Sequence, residues 1–209
     1  MAEINPNSRL EAFCDGVFAI ALTLLIIDIK IPPTENIKTN AELWLALGHL
    51  SASIFAFLLS FIVILITWVN HHSALKLVNR SSPHFIYANG LLLLTVVFVP
   101  FPTALLGDNI FTDHAAPAVF LYAAVFAVQA IAWNLVNRTA LDRRRPLTKN
   151  EQTTLLMRGM YKKSYYAFFF YALCTVFALW FPQTIAIIIS VSWIVWLIVS
   201  INIKREYGD

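Results

Sequence analysis

Charged residues stand where an apolar chain ought not to carry them. Residues 9–31 run almost without polar interruption, yet Arg9 and Asp15 lie near their start and Asp28 near their end. A charge at a membrane-embedded position is expensive, so each of the three is a candidate functional group in need of a partner. The histidines come next: His71 and His72 are adjacent, while His49, His84 and His114 are scattered. Neighbouring helical residues point about 100° apart, so His71 and His72 form a poor chelate, and no His-x-x-x-His pair occurs. Neither a metal site nor a cofactor is expected. Histidine titrates near neutrality, which leaves proton sensing open at His71 and His72. Cys14 and Cys174 lie in different apolar stretches and give neither a disulfide framework nor a zinc motif. No Ser-His-Asp array, glycine-rich phosphate loop or nucleotide fingerprint is present, and no clustered nucleophile or acid–base pair lies inside the apolar segments. An enzyme is not expected.

The elements that must position these groups follow from composition. The chain has 209 residues, is 59% hydrophobic and only 13% charged, and its mean hydropathy is +0.69. A soluble domain is about 45–50% apolar, so this reads as an all-α integral membrane protein. A helical span needs about 20 apolar residues, and six segments qualify, near 12–31, 43–69, 85–106, 116–137, 164–181 and 183–203. The second is long enough to tilt or to extend past the bilayer. The fifth and sixth are split only by Phe181-Pro182-Gln183, a tight helical hairpin. Ser8 with Glu11 three residues on reads as a capping box at the start of the first helix, with Asn7 beside it. No basic region precedes the first apolar run, so no cleaved signal peptide is expected. Without internal repeats or low-complexity tracts, residues 1–209 read as one six-helix domain.

Charge fixes the expected orientation. Thirteen of the fifteen Lys and Arg residues precede span 1, lie between spans 2 and 3 or 4 and 5, or follow span 6; only Lys30 and Lys38 fall on the other side. The positive-inside rule then places both termini in the cytoplasm. The basic stretch 138–163 is read as a topology determinant beside anionic headgroups, not as a nucleic-acid patch.

At helical spacing Phe13, Gly16, Ile20, Thr23, Leu24, Ile27 and Ile31 share one stripe, with Asp15 nearly opposite and Asp28 at its edge. Such a stripe ordinarily packs on another helix. The residues around it point further. Arg9-x-x-x-Phe13-Cys14-Asp15-Gly16-Val17, with Ala19-Ile20-Ala21-x-Thr23-Leu24-Leu25 after it, resembles the first-helix signature of the transmembrane protein 175 family of potassium channels. Trp68-Val69-Asn70-His71-His72, Asn89-Gly90 and Phe98-Val99-Pro100-Phe101-Pro102-Thr103 resemble its second and third helices, and the length matches the single-repeat prokaryotic members.

The resemblance implies a homotetramer in the bacterial inner membrane, with helix 1 of each copy lining a central pore for K+. It implies a constriction of apolar side chains instead of a carbonyl filter, and this chain has no Thr-Val-Gly-Tyr-Gly loop. By position, Ile20 matches the constriction, Leu24 and Ile27 continue it, and Thr23 matches a hydroxyl ring used for selectivity. Asp28 is either a cation-attracting mouth or a helix-end charge paired with Lys30. Arg9, Phe13, Cys14, Asp15, Trp68, His71 and Asn89 are implied to form the network that holds helix 1, with Asn70 and His72 as further candidates. Cys14 departs from the family's usual Ser; a thiol is a weaker donor, and a small buried residue is the simpler reading than a reactive one. Proton permeation alongside K+, a secondary transporter and a non-conducting sensor or assembly protein remain alternatives. Pro100 and Pro102 could break helix 3 near its outer end, as a transporter would require.

Overall fold

The computed structural model describes residues 7–30, 32–33 and 37–206, with the side chains of Asp28, Val199 and 201–206 outside that description. The described residues are organised in helices: α1 Ser8–Leu24, which runs into a 3-10 turn Leu25–Asp28, α2 Asn40–His49, α3 Ser51–Lys76, α4 Pro83–Phe98, α5 Pro100–Asn109, α6 Ala115–Ala140, α7 Glu151–Phe177 and α8 Pro182–Glu206. Among the described residues four stretches are long and apolar enough to cross a membrane, Ser8–Ile27, Ser51–Lys76, Pro83–Asn109 and Ala115–Ala140. α7 carries Arg158, Lys162 and Lys163 in its first half, and the apolar part of α8 is Pro182–Ile198.

Several expected boundaries move, each for a local reason. The single segment 43–69 is two helices hinged at Leu50, and the second runs on to Lys76. α2 starts at a capping box: Thr39 accepts from the Glu42 amide, and the Glu42 carboxylate takes the Lys38 and Thr39 amides at 2.6 and 3.0 Å. Those two backbone donors hold the Glu42 carboxyl below the usual carboxylate range. At α1, by contrast, Asn7 is the N-cap residue without a capping bond from its side chain, and Ser8 lies inside the helix. The segment 85–106 bends at Val99, where Pro100 and Pro102 remove amide donors. Thr103 repairs the bend by donating from both its amide and its hydroxyl to the Val99 carbonyl. Its hydroxyl also meets Ser60 Oγ at 2.6 Å, and Ser60 reaches the Tyr122 hydroxyl at 3.1 Å, tying α5 to α3 and α6 inside the bundle.

α6 is the axle. Its apolar window is 61% buried, against 22% for α1, and its buried face is rich in alanine. Small side chains let helices approach closely where lipid offers no hydrophobic drive to associate. α3 and α5 approach more closely still: a Cβ on Gly107 would stand 2.7 Å from the Ser53 Cα.

The basic stretch 138–163 is mostly helix, because α6 runs to Ala140 and α7 begins at Glu151. What remains is clasped to the α3–α4 turn: the Asn79 amide donates to Leu147, the Lys149 amide to Leu77, and Arg80 to the Pro146 carbonyl. Leu77, Val78, Phe85, Val136, Leu147 and Met157 are buried together beneath it. Asn7 donates to the Val78 carbonyl at 3.4 Å, so the clasp also fixes the start of α1.

Candidate functional site

α1 has two unlike faces. Cys14, Phe18, Ala21 and Leu25 are buried against the bundle, spaced three to four residues apart as one helical face requires. On the other side Phe13, Ile20, Leu24 and Ile27 are 62%, 58%, 40% and 68% exposed. Gly16 lies on that bare face with nothing near its missing Cβ. The final turn is 3-10, so Leu24 and Ile27, three apart, stand nearly in line. Ile31 falls outside the described residues, as does the Asp28 side chain. The Thr23 hydroxyl donates to the Ile20 carbonyl at 2.9 Å, which satisfies its proton locally and leaves oxygen lone pairs free on the exposed side.

The buried side is held by polar contacts to α3. Trp68 Nε1 donates to Asp15 Oδ1 at 2.8 Å. One turn away, His72 Nδ1 lies 3.0 Å from Glu11 Oε1, close enough for an ion pair but off the line of a good hydrogen bond. Glu11 and Asp15 are four residues apart on one helix, as Trp68 and His72 are on the other, so two antiparallel helices present matched rungs. The Trp68 and His72 rings stack at 6.1 Å. Beneath them His71 is fully buried. Asn89 Nδ2 donates to the Phe85 carbonyl at 2.7 Å, so Asn89 Oδ1 accepts and His71 Nε2 is the donor across 2.8 Å. The Phe18 ring lies 5.4 Å from the His71 ring, and Trp133 of α6 lies 6.3 Å from it.

The expected network is thus partly assembled. Asp15 meets Trp68, His71 meets Asn89, and Cys14 is a small buried residue. Arg9 is exposed and makes no hydrogen bond or ion pair among the described residues, so it does not join Asp15 within one chain. Phe13 belongs to the bare face and not to the network. Asn70 turns away from α1 and accepts from Ser200 of α8 at 3.2 Å. Sequence reasoning missed Glu11, whose four-residue spacing from Asp15 was the available signal. It also missed Phe18 and Trp133, which no motif marks.

Glu11, Asp15 and His72 bring one donor atom each within 4.8 Å of one another, the group among the described residues whose donors could hold a metal ion. The His71-His72 spacing alone could not reveal it, because the set is assembled across two helices. These donors already engage each other and Trp68, so the cluster closes as an anchor of α1 on α3.

Fold and site together define a multi-helix integral membrane protein whose first helix is fastened along one face and left bare and apolar along the other. Residues 9–100 match the family model of the endosomal/lysosomal potassium channel TMEM175. A potassium channel of Chamaesiphon minutus is 48% identical over 132 residues, 63% of this chain and 64% of that one. A potassium channel of Streptomyces collinus is 44% identical over 138 residues, covering 63% and 66% respectively, so each alignment spans just under two thirds of the relative. The crystal structure of a lysosomal potassium-selective channel TMEM175 homolog from Chamaesiphon minutus superposes with a TM-score of 0.82 at 36% identity, over 93% of this chain and 97% of that one. The chain belongs to the TMEM175 family.

Proposed function

We propose that this chain is the subunit of a potassium channel, a tetramer in which the bare face of α1 lines a central pore. The observation that carries the reading is that face: Phe13, Ile20, Leu24 and Ile27 stand exposed on a helix whose opposite side is fully buried. The names of the relatives supply the ion. In this reading six spans cross the bacterial inner membrane, formed by α1, α3, α4 with α5, α6, α7 and α8, with both termini and the clasp on the cytoplasmic side.

Mechanism follows from the side chains. A ring of Ile20, one from each copy, makes a narrow and poorly wetted passage that gates by dewetting. An ion must shed water there, which costs K+ less than the more tightly hydrated Na+. Thr23 lies three residues on, with its proton already given to the Ile20 carbonyl. Its free lone pairs offer oxygen in place of lost water, which suits a cation and not an anion. Asp28 sits at the outer end of the same helix, where a ring of carboxylates concentrates cations. Glu11, Asp15, Trp68, His71, His72 and Asn89 keep α1 at the rotation that presents this face. Arg9, exposed in the single chain, is placed to find its partner in a neighbouring copy.

The test is potassium efflux from liposomes containing purified protein. Ile20→Asn should raise efflux and erode the preference for K+ over Na+, by about tenfold for each 1.4 kcal/mol removed from the barrier. Because Ile20 is mostly exposed in its own chain, the substitution should leave the fold in place. Unchanged flux and unchanged selectivity would remove Ile20 from the constriction. Efflux under both ions with saturable, exchange-dependent kinetics would instead favour a transporter.

A further inference from the structure

Away from α1, the bundle contains a crevice of about 100 Å³ between α3, α6, α7 and α8. Its walls are unusual for a helix interface because polar atoms there lack partners. Gln129 is 4% exposed and its Nε2 has no hydrogen bond; Trp193 is 6% exposed and its Nε1 has none. Asn137 is 1% exposed and its Oδ1 is likewise unpaired. The Asn137 amide is not free to turn. Ser164 spends its proton on Asn134 Oδ1 and the Tyr161 carbonyl, so Ser164 must accept from Asn137 Nδ2, leaving Oδ1 to the crevice. The Trp193 ring is equally fixed, edge-on to Phe126 at 4.8 Å and stacked on Tyr171 at 5.6 Å. A buried donor or acceptor without a partner costs about 1–3 kcal/mol. Three around one cavity amount to a built-in demand for a guest.

The guest's chemistry can be read from their placement. Trp193 Nε1 can only donate, and Gln129, one helical turn from the Phe126 that Trp193 packs on, presents its amide NH2 beside it, so the deep end asks for a carbonyl-type oxygen. Asn137 lies two turns further along α6, about 12 Å at 1.5 Å per residue, and asks for a hydroxyl or amide proton. Lys163, exposed on α7, lines the same end of the crevice. Between the two ends Phe126, Trp133, Tyr171 and Trp196 offer aromatic surfaces, which favour a flat ring in offset or edge contact. We propose that this crevice is a binding site for an uncharged single-ring aromatic molecule bearing a carbonyl at one end and a hydroxyl at the other. The site is separate from the pore face of α1 and does not depend on the channel reading. Thr67 and Asn70 of α3 form one wall, next in sequence to the Trp68 and His71 that anchor α1, so a guest would press on the helix that holds the pore.

The experiment uses the full chain in nanodiscs with 4-hydroxybenzamide as probe and toluene as the apolar control, read by ligand-observed saturation-transfer NMR and by thermal melting. The expected result is saturable binding of 4-hydroxybenzamide with a dose-dependent rise in melting temperature, weakened at least tenfold by Gln129→Leu and by Trp193→Phe. Gln129→Leu keeps the volume and removes an unpaired group, so without probe it should melt no lower than the parent; a lower melt would mean Gln129 has a structural partner and would overturn the site. Non-saturable partitioning, equal response to toluene, or binding indifferent to Gln129→Leu would each overturn it too, leaving the crevice to water.

Discussion

Phe13 and Phe18 lie five residues apart on one helix and offer the sharpest test of its two faces. Phe18 is 1% exposed and Phe13 is 62% exposed. In a bilayer the transfer component of Phe18→Ala nearly vanishes, because acyl chains are as apolar as the site the ring leaves. The cavity remains: about 100 Å³ at about 24 cal/mol per Å³ is about 2.4 kcal/mol. Loss of the ring pair with His71, 5.4 Å away, adds about 0.5–1.5 kcal/mol. The sum, about 3–4 kcal/mol, corresponds to a fall in melting temperature of roughly 6–16 °C for a chain of this size. Phe13→Ala removes the same atoms from a side chain that is mostly exposed in its own chain, so its cost to the dispersed single chain should be within about 0.5 kcal/mol. The assay is thermal unfolding by near-UV circular dichroism, in detergent dilute enough to disperse the assembly. The channel reading adds that Phe13→Ala alters liposome flux while leaving that melt unchanged. Equal destabilisation by the two substitutions would refute the assignment of faces, and with it the proposal that Ile20, Leu24 and Ile27 line a pore.

Two further outcomes follow from single contacts. Trp68→Phe keeps an aromatic ring but removes the 2.8 Å donor to Asp15; a hydrogen bond to a charged group contributes about 1.5–3 kcal/mol, and the melt of the dispersed chain should fall accordingly, whereas Asn70→Ala, which removes a hydrogen bond to α8, should leave α1 protected in hydrogen exchange. Gly107→Ala drives a methyl to 2.7 Å from the Ser53 Cα; overpacking of this kind costs about 1–3 kcal/mol. Adding Ser53→Gly relieves the 3.1 and 3.2 Å contacts to the Ser53 side chain but not the backbone clash, so melting should show partial rescue, and full rescue would disprove the backbone contact.

What could be read in advance was whatever repeats at helical spacing. The stripe from Phe13 to Ile27 needs only a period near 3.6, and its exposure in the fold matches that pattern. The bend at Val99 was visible in Pro100 and Pro102, since proline removes donors wherever it falls. The hinge at Leu50 was harder: hydropathy stays high through 43–69, and only the Thr39-x-x-Glu42 pattern marks where α2 begins. Partnerships between helices were least legible. Trp68 came to Asp15 only through the family resemblance, and the pairing of Glu11 with His72 was marked by nothing. Antiparallel packing decides such rungs, and register between two helices leaves no trace in either one alone. The crevice at Gln129, Asn137 and Trp193 was invisible for the same reason, being made by four helices at once.

Hydrogen-bond demand explains why α1 faces the way it does. An apolar stripe in a bilayer has little preference between lipid and another helix, since both offer similar apolar surroundings. Polar groups break the tie. A carboxylate such as Asp15 only accepts, and the amides of its own helix interior are already used, so it must find a donor on a neighbour. Trp68 supplies that donor, and His72 one turn on faces Glu11, which together set the rotation of α1 about its axis. Thr23 makes no such demand, because its hydroxyl is served by the Ile20 carbonyl of its own helix. It can therefore stand on the bare face at no cost to the fold, with its oxygen lone pairs left free. The groups that most need partners fix the helix, and the groups that need none are turned outward by it.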